Sequence, residues 1–150
     1  MSVAGTWTSA STTAALGVIA VCLTGCTNES PSLRVISVAP PANMTISLSA
    51  DVQPIFTRSC AKGGCHAGTA TAQGLNLETG KSYVNLVRVT STEDSTLKRV
   101  DPGMSDLSYL IMKIEGNGLG DRMPADGPPY LPNAEIQLIR DWIDQGALDN

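Results

Sequence analysis

Seven residues constrain this chain more than any other stretch: Cys60-Ala61-Lys62-Gly63-Gly64-Cys65-His66. They bring two thiols and an imidazole to one point, and His66 is the only histidine in the chain. Three chemistries use such a set. The thiols can close a small disulfide loop, which an exported chain permits. Both thiols and the imidazole can bind zinc, although a closed site needs a fourth ligand and no second Cys/His pair occurs in the sequence. Alternatively, each thiol adds across a vinyl group of a haem to form a thioether, and the adjoining imidazole meets the iron. The usual haem spacing puts two residues between the thiols, and here there are four. Such a loop must bulge for both sulfurs to reach vinyl groups whose separation the porphyrin fixes. Gly63 and Gly64 offer the backbone freedom for that, since glycine enters positive φ without a side-chain clash. The stretch reads as a lengthened haem-attachment motif.

The other cysteines leave that reading room. Cys22 lies inside an N-terminal apolar run and Cys26 ends it, so Cys60 and Cys65 are the thiols left for the folded part. Hydrophobic residues make up 42% of the chain, yet the aromatics are only two Trp, three Tyr and one Phe. That is a lean set for a core, and a bound macrocycle would supply the missing apolar bulk. A net charge of −4 argues against nucleic acid as a partner.

Residues 1–25 carry no charged side chain, and Ala14 to Leu23 form an apolar core too short to span a bilayer but suited to an export signal. The run ends in Leu23-Thr24-Gly25-Cys26, which resembles the lipobox of bacterial lipoproteins. That resemblance implies cleavage before Cys26 and lipidation of its thiol, with several acyl chains giving a firm membrane anchor. The uncharged start departs from such signals, which normally open on Lys or Arg. Residues 26–49, rich in Ser, Pro, Asn and Thr around Pro40-Pro41, read as a tether, with a weak alternation at 33–38. Residues 50–150 are expected to form the folded domain.

Within that domain the apolar spacing predicts helices. Asp51 to Ser59 has a capping Asp51, Pro54 in the first turn, and Val52, Ile55 and Phe56 on one face. Lys81 to Val89 is a second candidate, carrying Tyr83, Leu86 and Val87. A third is capped by Ser105 or Asp106, with Leu107, Leu110, Ile111 and Ile114 in a stripe and Gly116 as its stop. The last runs from Pro132 to Gln145 with Ile136, Ile139, Trp142 and Ile143 inward, and Gly146 ends it. Between these last two lies a Gly- and Pro-rich loop, 116–131, containing Arg122-Met123-Pro124. A loop this long in a small domain is usually functional or disordered. The expected class is all-α.

Laid out in this order, the chain resembles the planctomycete-type family of small cytochrome c domains over roughly residues 46–148. Asp51-Val52-Gln53-Pro54-Ile55-Phe56 looks like that family's opening helix. Val100-Asp101-Pro102-Gly103 with Ser108-Tyr109-Leu110 looks like its middle turn and helix. Met123-Pro124, then Glu135-Ile136, Ile139-Arg140-Asp141-Trp142-Ile143 and Gln145-Gly146-Ala147, look like its Met ligand and closing helix. The Cys spacing departs from the family's commoner, shorter one.

The resemblance implies a cytochrome c-like domain around one covalent haem c. It implies Cys60 and Cys65 as thioethers and His66 and Met123 as the axial iron ligands. The other methionines after Cys26 suit that role less: Met44 lies in the tether, Met104 in a turn and Met112 within a helix. Lys98 and Arg99 read first as solvated surface charge and second as candidates to neutralise the haem propionates. The implied activity is electron transfer without bond chemistry, between redox partner proteins or cell-surface acceptors, from an exported, membrane-anchored lipoprotein. A haem-based sensor or peroxidase-like enzyme with a labile Met123 is the alternative. A distal base would then come from a loop carboxylate such as Asp121 or Asp126.

Overall fold

The computed structural model describes residues 44–150. The expected signal segment, the lipidation residue Cys26 and the tether up to residue 43 lie outside the described residues. Packing starts earlier than residue 50. Ile46 and Leu48 are buried in the core. The Ile46 amide donates to Gln145 Oε1 at 2.7 Å, and those of Leu48 and Ser49 donate to Asn150 Oδ1 and O, each at 2.8 Å. Residues 46–49 are thus tied across the domain to the end of the chain.

They lead into a wide π turn, Leu48–Val52, whose cap is Ser47 rather than Asp51. The Ser47 side chain accepts from the Ala50 amide at 3.2 Å, and Asp51 Oδ2 accepts from the Ser47 amide at 2.8 Å. The two residues satisfy each other's orphan amides reciprocally, as in a capping box. Helix α1 follows at Gln53–Ser59 with Pro54 in its first turn, where a missing amide is harmless. Its face of Val52, Ile55 and Phe56 is buried as the spacing requires.

Helix α2, Ser82–Leu86, is shorter than the expected 81–89. The reason is local pairing. Val87 turns extended and bridges to Val100, the Arg88 amide donates to Val100 O at 2.9 Å, and the Val100 amide to Leu86 O at 3.1 Å. β-branched Val87 and Val89 favour that extended course over another helical turn. A buried polar link joins α1 to α2: Gln53 Nε2 donates to Leu77 O at 2.9 Å, and Ser82 Oγ donates to Gln53 Oε1 at 2.7 Å.

The third helical region is two pieces. A 3₁₀ turn at Ser105–Leu107 is separated from helix α3, Tyr109–Glu115, by Ser108 in an extended conformation. That break rotates Leu107 off the stripe. Leu107 is 47% exposed, whereas Ile111 and Ile114 are buried and Tyr109 takes the vacated inward place. Gly116 stops α3 in the left-handed region at φ 87°, its amide and that of Asn117 both donating to Met112 O.

Helix α4, Asn133–Asp144, buries Ile136, Ile139, Trp142 and Ile143. Its Arg140 reaches back to Asp106 at 2.6 Å and Glu115 at 2.8 Å, clamping α4 to both pieces of the third region. Among the described residues the regular elements are helical, with backbone pairing confined to isolated bridges, and no helix is long and apolar enough to cross a membrane.

Candidate functional site

A cleft of about 300 Å³ lies between α1, α3 and the loops around them, at the lower end of the range of ligand pockets, roughly 300–1,000 Å³. Cys60, Cys65, His66 and Met123 all line it, with Leu75, Leu77, Leu86, Leu110 and Ile114 as apolar wall. The residues expected to hold a prosthetic group are therefore brought to one cavity from two separate loops.

Helix α1 delivers the first thiol. Cys60 is its C-cap, the Cys60 amide donating to Phe56 O at 2.8 Å. The loop then folds over the Cys60 carbonyl, which accepts from Lys62 at 2.9 Å and from His66 at 3.3 Å, while the Cys65 amide donates to Lys62 O at 3.0 Å. This is how the longer spacer is absorbed: the extra residues make a closed turn instead of an extended arc. Gly64 takes the left-handed conformation, φ 81°; Gly63 does not, so of the two glycines only Gly64 uses its special freedom. Both cysteines are free thiols. Burial pushes the Cys60 thiol up to about 11, so it stays protonated at neutral pH.

His66 is oriented from behind. Its Nδ1 is 3.2 Å from the Leu75 carbonyl oxygen. A carbonyl only accepts, so Nδ1 carries the proton and the Nε2 lone pair is left free, the arrangement that metal-bound imidazoles use. Burial holds the ring below the usual histidine range and so favours the neutral, ligating form. Among the described residues no three His, Cys, Asp or Glu side chains cluster so as to hold a metal ion.

Met123 is held by α3. Its amide donates to Lys113 O at 2.9 Å, and the preceding Arg122 donates from Nε to Ile114 O at 2.8 Å while stacking 4.3 Å over the Tyr130 ring. Lys62 pairs with Asp126, itself on the cavity wall, at 2.7 Å, joining the cysteine loop to the methionine loop.

The propionate candidates part company. Arg99 lines the cavity and is buried, donating to Asn85 O at 2.9 Å and to Gln73 O at 2.6 Å. Lys98 is not among the cavity residues and bonds Thr90 Oγ1 at 2.8 Å. Of the candidate distal bases, Asp126 lines the cavity within its Lys62 pair, while Asp121 is not part of the lining.

Sequence reasoning missed a polar group on the cavity wall: Glu93, Tyr109 and Lys113. Glu93 Oε2 accepts from the Tyr109 hydroxyl at 2.9 Å and lies 3.1 Å from Lys113 Nζ. The signal available was Lys113, a charge among the inward positions 110, 111 and 114, one turn after Tyr109.

Comparison of the chain with protein-family models, curated proteins and solved structures finds no match.

Proposed function

We propose that this chain is a lipid-anchored, monohaem c-type cytochrome that passes single electrons between partner redox proteins or cell-surface acceptors. The observation that supports it most is the shared cavity: two thiols, an oriented imidazole and a thioether from a separate loop line one apolar cleft. Those donors suit a haem. Cys60 and Cys65 would hold it covalently, His66 Nε2 and the Met123 sulfur would ligate its iron, and Arg99 would offer a cation to its carboxylates. The group would supply a one-electron Fe(III)/Fe(II) couple, and a thioether beside an imidazole raises the potential of such a couple.

The chain's own residues keep that couple closed to other chemistry. Leu75, Leu77, Leu86 and Ile114 would wall the group with apolar surface, the Leu75 carbonyl fixes the imidazole, and α3 holds the methionine loop. The sensor or peroxidase-like reading needs a free carboxylate as distal base, and the one on the cavity wall near Met123, Asp126, is engaged by Lys62. Membrane attachment through Cys26 is part of the same proposal and rests on the sequence; mass spectrometry of the membrane fraction should find a lipidated mature N-terminus at that residue.

The deciding experiment is expression with a c-type maturation system. Wild-type protein should keep its haem on a denaturing gel, and Cys60→Ser and Cys65→Ser should each weaken retention. A colourless wild type sinks the haem reading; a Cys60→Ser protein with normal haem yield sinks the two-thioether attachment.

A further inference from the structure

We infer, building on the reading of Met123 as an iron ligand, that Lys113 and Tyr109 are positioning residues that hold the methionine loop closed by gripping its backbone at Leu119. Both polar backbone groups of Leu119 are taken by side chains one turn apart on α3. Lys113 Nζ donates to Leu119 O at 2.6 Å, and the Leu119 amide donates to the Tyr109 hydroxyl at 3.1 Å. The same Lys113 accepts the Met123 amide on its own carbonyl, so one residue of α3 holds the loop at two points.

Packing does not explain this grip. The Leu119 side chain is 58% exposed, so the loop is not fastened there by apolar burial. Lys113, by contrast, is only 7% exposed, and a buried ammonium is costly unless its donors are used. They are used on Leu119 O and on Glu93, whose carboxylate also accepts a hydrogen bond from the Tyr109 hydroxyl. The loop runs hard against the lysine stem: a Cβ on Gly118 would come 2.9 Å from Lys113 Cδ. A leucine at 113 would fill the space but leave Leu119 O only the longer contact, 3.4 Å, to the Tyr109 hydroxyl, which already donates to Glu93. The arrangement is built to fix backbone position, and the residue whose position matters in this loop is Met123.

The test is the rate at which imidazole enters the ferric iron of the full-length holoprotein, measured at saturating imidazole so that departure of the methionine is limiting. Lys113→Met should raise that rate about tenfold or more, the scale expected for losing a hydrogen bond to a charged group. Tyr109→Phe should raise it by a smaller factor, on the order of threefold for a neutral hydrogen bond. Val84→Ala, on the exposed side of α2 and outside these contacts, should leave it unchanged. Amide hydrogen exchange across 117–123 in the same samples should quicken in both variants. If Lys113→Met does not fold, Tyr109→Phe decides alone. A wild type without methionine–iron absorption overturns the ligand reading itself. Wild-type methionine absorption with unchanged imidazole entry and unchanged exchange in Tyr109→Phe overturns the positioning role alone.

Discussion

The Nδ1 atom of His66 stands 3.2 Å from the carbonyl oxygen of Leu75, and that single contact decides which imidazole nitrogen faces the cavity. Because the partner is backbone, no nearby side-chain substitution removes it. His66→Ala should therefore lose the axial nitrogen while Cys60 and Cys65 still hold the haem, giving a high-spin protein. Added imidazole should restore a low-spin spectrum. With no other histidine in the chain, an unchanged low-spin spectrum in His66→Ala would place a different residue on the iron.

Met123→Ala should abolish the near-infrared band of methionine-ligated ferric haem, open the reduced iron to carbon monoxide and lower the potential. Met104→Ala and Met112→Ala should do none of these, since neither residue lines the cavity. Ready carbon monoxide binding by the wild type would move the balance to the sensor reading.

Two leucine-like positions of the third helical region should behave unlike one another. Ile111 is 1% exposed and Leu107 is 47% exposed. Ile111→Ala should cost about 2–5 kcal/mol in urea unfolding, and Leu107→Ala within about 0.5 kcal/mol. Equal costs would mean that Leu107 packs inward and that the break at Ser108 is not there in solution.

Acid should loosen the cavity wall through Glu93. Burial alone raises its carboxyl; hydrogen bonds from Lys113 and Tyr109, with the Lys113 charge, outweigh that and hold it below its ordinary value of 4.5. The unfolded chain then takes up the proton first as pH falls, so this stabilisation is complete above about pH 4.5 and disappears as pH drops through the lower, folded value. Other carboxyls here shift the same way, Asp126 and Glu78 among them. The Glu93 share is thus the difference between wild type and Glu93→Gln. The stability curves of the two should draw together as pH falls below 4.5 and towards the lower, folded value; curves that stay parallel through the whole acid limb would remove Glu93 from the account.

Gly127→Ala should disturb the methionine loop, since an added Cβ comes 3.2 Å from the carbonyl oxygen of Pro124 on the cavity wall. An added Cβ would fall 2.5 Å from the Tyr130 ring, which Arg122 already holds at 4.3 Å from the ring centre. Overpacking of this kind costs about 1–3 kcal/mol, and a weakened methionine band should accompany it. A variant with wild-type stability and spectrum would show that Tyr130 is free to move aside.

What could be read along the chain was what neighbouring residues decide together. Pro54 in a first turn, the i, i+3, i+7 spacing of Ile136, Ile139 and Ile143, and Gly116 at a helix end are local features, and the structure carries each of them. The Cys60–His66 heptapeptide is local too, as is the chemistry it suggests. Leu107 fits the same periodic rule and fails it, because periodicity assumes unbroken helix and Ser108 interrupts the backbone. Residues 46–49 read as tether from their composition; their place in the core depends on Gln145 and Asn150, about a hundred positions away. The cavity is of the same kind. The group of Glu93, Tyr109 and Lys113 becomes a site only when the loop at Leu119 folds back onto α3. A sequence shows which side chains are available, but polar groups find their partners by closeness in space, and that closeness is decided by the packing of α1, α3 and α4 around a shared core.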